Sequence, residues 1–328
     1  MTTEQTDKTI TNEKLAFVFP GQGSQSLGMM ADLARAFPVV GETFGEASSI
    51  LGYDLWQLVQ QGPEQELNRT DKTQPAMLTA GVATWRIWQG QTDIMPVAMA
   101  GHSLGEYTAL VCSGALEFSD AVSLVADRGR FMQQAVPAGS GAMAAILGLE
   151  DEQVRAVCAE SAQGEIVAAV NFNSPGQVVI AGHTAAVARA IEAAKAAGAK
   201  RALELPVSVP SHCSLMKAAA DKMQDRLGGT GFTSPRIAVI NNVDVAAVSA
   251  ADEIREALVR QLYQPVRWVE TIQKMRADGI NTVIECGPGK VLAGLNKRID
   301  RAMSALPVHD PDSLRQALDA LVTEEEIS

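Results

Sequence analysis

Pro96-Val97-Ala98-Met99-Ala100-Gly101-His102-Ser103-Leu104-Gly105-Glu106-Tyr107-Thr108-Ala109-Leu110-Val111-Cys112 decides the reading of this chain. The first five residues form a short apolar run that predicts a buried strand, and Thr108 to Cys112 continues as the apolar part of a helix. Between them, Gly101-His102-Ser103-Leu104-Gly105 has the form G-x-S-x-G. This pattern presents a serine hydroxyl on a strained strand-to-helix turn, poised to attack an acyl carbonyl. A five-residue motif is weak alone. The plainer alternative is that Gly101 and Gly105 only permit close packing of helix on strand while Ser103 caps the helix.

Working outward, Leu15-Ala16-Phe17-Val18-Phe19 reads as a buried strand running into Pro20-Gly21-Gln22-Gly23-Ser24-Gln25. Strands then alternate with helical stretches to about residue 137, which predicts an α/β fold with a parallel sheet covered on both faces. From 138 to 208 the style changes: strand 142–147, helix 150–162, strand 166–172, turn 173–176, strand 177–181, an alanine-rich helix 184–197 and strand 201–207. The order β-α-β-β-α-β is that of a ferredoxin-like unit, here an inserted small domain of residues 138–208. The large domain comprises residues 15–137 and 209–328. It resumes with a helix from about Ser211 to Leu227, a strand at 237–241, and a strand 282–285 feeding Gly287-Pro288-Gly289. Met1 to Lys14 is polar, lacks the apolar core of a signal peptide, and reads as a disordered N-terminal extension.

The 328 residues are 47% hydrophobic with mean hydropathy +0.04, so the chain can bury a large core. No apolar run approaches the ~20 residues of a membrane span, and a cytoplasmic location is expected. Cys112, Cys158, Cys213 and Cys286 form no C-x-x-C pair and the four histidines keep no ligand spacing beside them. Reduced buried thiols, no disulfide framework and no metal site are therefore expected. A net charge of -11 argues against nucleic acid as a partner.

Two glycine turns imitate nucleotide motifs. Gly21-x-Gly23 would need a third glycine where Ser26 stands, and Gly287-Pro288-Gly289-Lys290 lacks the spacing and the following Ser/Thr of a P-loop. Such a turn can still aim backbone N–H groups at an oxyanion, or simply reverse the chain. Arg128 borders an apolar helix stripe of Val122, Val125, Gly129, Met132 and Val136 with no carboxylate within helical reach, whereas Arg130 has Asp127 one turn back. A buried guanidinium needs an anion, supplied by a distant Asp or Glu or by a ligand. His212 lies where Val207 to Pro210 gives way to a helix. An imidazole at a helix N-terminus stays neutral and available as a base, unless it merely caps or fills the core. His102 is read as bracing the elbow, while no acidic third member of a triad is evident; a backbone carbonyl could orient the imidazole instead.

Phe19-Pro20-Gly21-Gln22-Gly23-Ser24-Gln25, Gly101-His102-Ser103-Leu104-Gly105-Glu106, Asp127-Arg128-Gly129-Arg130, Asn173-Ser174-Pro175-Gly176-Gln177, Val209-Pro210-Ser211-His212 and Glu285-Cys286-Gly287-Pro288-Gly289, in this order, resemble the malonyl-CoA:acyl carrier protein transacylase family, from about Leu15 to about Arg301. The resemblance implies an α/β-hydrolase-like large domain with the inserted ferredoxin-like domain. It implies malonyl transfer from malonyl-CoA to the phosphopantetheine thiol of acyl carrier protein through a malonyl-serine ester in fatty acid synthesis, without a cofactor. By the same resemblance Ser103 is the nucleophile, His212 the base and later acid, and Arg128 the partner of the malonyl carboxylate. The backbone N–H groups of Gln22 and Leu104 form the oxyanion hole, Gln261 orients the histidine, and Asn173 lines the cleft between the domains. An acidic carrier would dock on Lys290, Lys297 and Arg298, with Lys200 and Arg201 as further candidates, and a monomer is favoured. Alternatives are an acyltransferase of polyketide synthesis or malonate decarboxylation, an esterase or thioesterase using the same Ser-His pair, and a non-catalytic docking module. Arg128 speaks against a simple esterase, and the intact set of residues against a scaffold.

Overall fold

The computed structural model describes residues 10–325 apart from residue 208. Among these, nine strands form two sheets. The first is fully parallel and contains β1 (Ile10–Phe19), β2 (Ile94–Gly101), β7 (Ala238–Ile240), β8 (Thr282–Cys286) and β9 (Ser304–Val308), in the order β7-β2-β1-β8-β9. Leu15 to Phe19 are all 0% exposed, because a parallel sheet is covered by helices on both faces and its strands read as continuous apolar runs. The two-residue period of the strand still sorts the side chains. Leu15, Phe17 and Phe19 enter one core, where Phe17 meets Trp85 and Trp88 edge-on. Ala16 and Val18 enter the opposite core with Ala98, Ala100, Trp268 and Val283.

The second sheet is antiparallel: β3 (Gly141–Leu147), β4 (Val167–Ser174), β5 (Gln177–His183) and β6 (Arg201–Glu204), ordered β4-β5-β3-β6. Helices Asp151–Ala162 and Thr184–Ala196 cover one face, burying Ala142, Ala144, Ile146, Val178 and Ile180. The alternate residues Met143, Val179 and Ala181 pack on the other face with Cys213 of the large sheet's half of the chain. The edge of β4 is also tied to the large half, where Phe172 N–H donates to Val266 O at 3.0 Å and Val266 N–H to Val170 O at 2.8 Å. The small sheet is thereby joined to the segment that leads into the helix Trp268–Ala277.

Three expectations change. The polar segment expected to be a disordered extension over residues 1–14 is β-structure from Ile10 onward, since Ile10 to Asn12 pair with Ile94 to Pro96 before the register shifts toward Ala16. Their side chains are largely exposed, so backbone pairing left no apolar signal; residues 1–9 lie outside the described residues. Strand β6 stops at Glu204 rather than Val207. The helix expected from Ser211 begins only at Lys217, after a 3-10 turn at Ser214–Met216. All four cysteines are buried free thiols, and among the described residues no helix is long and apolar enough to cross a membrane.

Candidate active site

Gly101 ends β2 and Gly105 opens the helix Gly105–Cys112, and neither tolerates a side chain. A Cβ on Gly101 would lie 1.8 Å from Gly105 C, and one on Gly105 would lie 2.1 Å from Phe19 O. The turn between them is consequently pressed against the end of β1, where His102 N–H donates to Phe19 O at 3.0 Å. Ser103, at the apex, adopts φ 51°, a left-handed conformation that a non-glycine residue holds only when its surroundings enforce it. Asn242, just past β7, supplies that enforcement. Its Oδ1 accepts Ser103 N–H at 2.7 Å and its Nδ2 donates to Gly101 O at 2.6 Å.

The Ser103 hydroxyl lies 2.8 Å from His212 Nε2. His212 Nδ1 is 2.7 Å from the backbone oxygen of Gln261. A carbonyl can only accept, so Nδ1 carries the hydrogen and Nε2 presents its lone pair to the serine. Burial first, and the Arg128 guanidinium second, push the His212 imidazole down to about 3. The ring is therefore neutral at ordinary pH, as a proton acceptor must be. The expected cause, a helix N-terminus, is absent: His212 sits at φ 64° in a turn, five residues before the helix.

Arg128 comes from the helix Phe118–Gln134 and is 1% exposed. Its Nη1 donates to Gln74 Oε1 at 2.8 Å, and its Nη2 donates to Gln261 Oε1 at 2.9 Å and to Ser103 Oγ at 3.3 Å. The Tyr107 ring centroid lies 5.4 Å from the guanidinium carbon, and Nε finds no partner among the described residues. No carboxylate bonds to this cation among the described residues; two neutral carboxamides hold it. The nearby Glu106 carboxylate is instead occupied by Asn242 N–H and Gln261 Nε2, both at 2.9 Å. Burial pushes that carboxyl up to about 7, against the opposing pull of those two donors and of Arg128.

The N–H groups of Gln22 and Leu104 have no protein acceptor among the described residues, and the Ser103 N–H is already taken by Asn242. A Cβ on Gly21 would lie 2.4 Å from His102 O, so the Pro20 to Gly23 turn packs directly on the elbow. Asn173 is the penultimate residue of β4, and its Oδ1 meets His102 Nε2 at 2.8 Å, linking the small sheet to the elbow; among the described residues it makes no hydrogen bond to Ser103, His212 or Arg128. The Gly287-Pro288-Gly289 turn is a connector. Glu285 Oε1 and Oε2 accept Leu292 N–H at 3.0 Å and Ala293 N–H at 2.7 Å, occupying the helix N-terminus that a phosphate would need.

Lys290, Lys297 and Arg298 lie exposed on or beside the helix Val291–Ile299, and none of them hydrogen-bonds to this cluster among the described residues. Arg298 reaches across to Gln177 Oε1 at 2.8 Å. Lys200 and Arg201 are also exposed. Sequence reasoning missed Gln74, Asn242 and the side chain of Gln261. Asn242 follows a parallel strand at its carboxyl end, the position where α/β sites gather, and that signal was available. Gln74 lies inside a long buried helix and carried none.

A parallel-sheet fold whose sharp turn joins a serine, a neutral imidazole and a buried guanidinium held by carboxamides defines an acyltransferase class of protein. The chain belongs to the acyl transferase domain family, which matches residues 16–308. It is 59% identical over 306 residues to the malonyl CoA-acyl carrier protein transacylase of Escherichia coli (strain K12), covering 93% of this chain and 99% of that one. It is 45% identical over 312 residues to the enzyme of the same name from Bacillus subtilis (strain 168), covering 95% and 98%. Among solved structures, an acyl carrier protein S-malonyltransferase from Vibrio cholerae superposes with a TM-score of 0.90 at 58% identity over 93% of this chain and 99% of that one. A malonyl-transacylase in complex with its holo type II PKS acyl-carrier protein superposes with a TM-score of 0.93 at 60% identity, covering 94% and 99%.

Proposed function

We propose that this chain transfers a malonyl group from malonyl-CoA to the phosphopantetheine thiol of acyl carrier protein, in fatty acid synthesis, through an ester on Ser103. Ser103 Oγ attacks the thioester carbonyl while His212 Nε2 takes its proton. The resulting oxyanion is received by the N–H groups of Gln22 and Leu104. The C–S bond then breaks, and His212 returns the proton to the departing CoA sulfur. In the second half, the carrier thiol gives its proton to His212 and attacks the ester, and Ser103 recovers its hydrogen. Every proton and charge is handled by groups of this chain, so the scheme calls for no metal or cofactor.

The observation that carries this reading is Arg128: a buried cation, within hydrogen-bonding distance of the nucleophile, with no carboxylate among the described residues bonded to it. A diacid thioester supplies the missing anion, and an esterase for neutral acyl groups has no use for it. One oxyanion donor contributes roughly 3 to 4 kcal/mol and a charge-assisted hydrogen bond about 1.5 to 3 kcal/mol. The hole thus sets the rate, and Arg128 the choice of acyl group.

For the architecture, the strand order β4-β5-β3-β6 supports a ferredoxin-like inserted domain over 138–208. The elbow supports an α/β-hydrolase-like large domain over 15–137 and 209–328. Asn173 lines the cleft between them through its bond to His102, and Lys290, Lys297 and Arg298 receive an acidic carrier. A cytoplasmic monomer is the form proposed. The complex of a 60% identical relative with a type II PKS carrier makes a polyketide carrier the second candidate recipient.

Incubation with malonyl-CoA and each holo carrier, followed by intact-mass measurement, tests the reading. A malonyl adduct on the chain and then on a carrier is expected, with no adduct for Ser103→Ala. An adduct that persists in Ser103→Ala would refute the covalent route.

A further inference from the structure

Glu106 belongs to the elbow hexapeptide, yet no step of the transfer uses it. It is 2% exposed and lies in the first turn of the helix that starts at Gly105, three residues beyond the nucleophile. Burying a carboxylate is unfavourable, and an apolar residue of similar volume would fill the same space without that penalty. What the carboxylate provides is two acceptor contacts. Its Oε2 receives the backbone N–H of Asn242 and the Nε2 of Gln261, both at 2.9 Å.

Each of those partners continues to a reacting group. The Asn242 carboxamide bridges Ser103 N–H and Gly101 O. The Gln261 side chain accepts Arg128 Nη2 at 2.9 Å and donates to Ser103 O at 3.0 Å, while its backbone oxygen orients His212. Asn242 and Gln261 come from different segments, the end of β7 and the last turn of the helix Ala251–Gln261. They are 1% and 0% exposed, so neither is steadied by solvent.

We infer that Glu106 is a positioning residue that anchors Asn242 and Gln261 to the elbow helix, keeping nucleophile, base and guanidinium in one fixed arrangement. The inference rests on the acyl-transfer reading of the site. It also explains why the serine's own N–H is not an oxyanion donor: Asn242, seated by Glu106, consumes it.

The test is a double-mutant cycle of Glu106→Leu, which fills the space but removes the acceptor oxygen, and Gln261→Ala, followed by CoA release from malonyl-CoA in the first half-reaction. Gln261→Ala deletes the side chain and keeps the carbonyl on His212. Leaving buried partners unpaired corresponds to a loss of about five- to hundredfold, so each single variant should lose about tenfold or more, with kcat falling further than KM rises. The double variant should lose far less than the product of the two, because both remove the same link. Multiplying losses, or an unchanged kcat in Glu106→Leu, would overturn the inference.

If Glu106→Leu does not fold, Glu106→Ala, which also removes the acceptor oxygen shared by Asn242 and Gln261, decides. A kcat loss with KM held supports the inference, and a parent kcat overturns it. The same cycle is read with a neutral fluorophosphonate, where an O–P bond forms on Ser103 and fluoride leaves. That readout does not depend on the natural substrate. A chain that reacts with the probe but never forms a malonyl adduct would defeat the transfer reading while the cycle still judges Glu106.

Discussion

Replacing Arg128 by methionine removes the guanidinium and leaves an unbranched chain to fill most of its space. The variant loses the donors to Gln74 Oε1, Gln261 Oε1 and Ser103 Oγ. A malonyl carboxylate bound through even one charge-assisted hydrogen bond gains about 1.5 to 3 kcal/mol. At about 1.4 kcal/mol per tenfold, kcat/KM for malonyl-CoA should fall roughly ten- to hundredfold. Acetyl-CoA presents no carboxylate and should not share that loss. It should gain, because Arg128 is the second cause, after burial, that holds His212 down to about 3. Without the cation the imidazole becomes more basic, though burial still keeps it below the ordinary histidine value. The acid limb of acylation, set by protonation of His212, should therefore move to higher pH in the variant. CoA release from both thioesters, measured from about pH 2.5 to about pH 8, reads selectivity and limb together. A thermal melt on the same samples shows whether the unpaired Gln74 and Gln261 oxygens destabilise the fold. Equal losses for the two thioesters, or an unmoved acid limb, would refute the role assigned to Arg128.

Gly105→Ala should destabilise the protein by more than about 4 kcal/mol, since its Cβ would lie 2.1 Å from Phe19 O; a parent-like melting temperature would contradict the close contact of helix and strand. Glu285 is held up at about 7 by burial, against an ordinary value of 4.5. The folded chain keeps that proton after the unfolded chain has lost it, so this group's contribution to stability declines as pH rises through that window. Glu285→Gln should remove up to about 3 kcal/mol of the decline, as read from urea unfolding at either end of the window, and an unchanged slope would refute it. Glu106 has the same sign and should leave a residual slope. Charge reversal of Lys290 and Lys297 together should slow transfer to carrier protein about tenfold at low salt while CoA release is unaffected; slowed CoA release would indicate damage to the site instead.

Local pattern made much of this molecule legible in the sequence. The apolar runs at 15–19, 96–100 and 282–285 became strands because burial on both faces of a parallel sheet leaves little room for polar residues. The inserted sheet was readable because its alternation and turn residues are also local. The elbow announced itself because its residue types are local: Gly101 is required by contact with Gly105, although Gly105 is required by the distant Phe19. Strand β9 and residues 10–14 of β1 escaped, the first because it was not marked off from the tail. The second escaped because its pairing to β2 is made by backbone and leaves the side chains exposed.

Composition and local periodicity determined where the chain turns, which faces are buried, and that Ser103, His212 and Arg128 deserve suspicion. Only the tertiary structure decided that they meet. Ser103 and His212 are 109 positions apart, Arg128 and Gln261 133, and Glu106 and Gln261 155. Such contacts follow from strand order and helix placement, which bring the carboxyl ends of β1, β2 and β7 to one edge, and periodicity along the chain carries no record of them. The same holds for charge. A sequence shows that an arginine exists, but only the packed structure shows that, among the described residues, carboxamides rather than carboxylates are hydrogen-bonded to it.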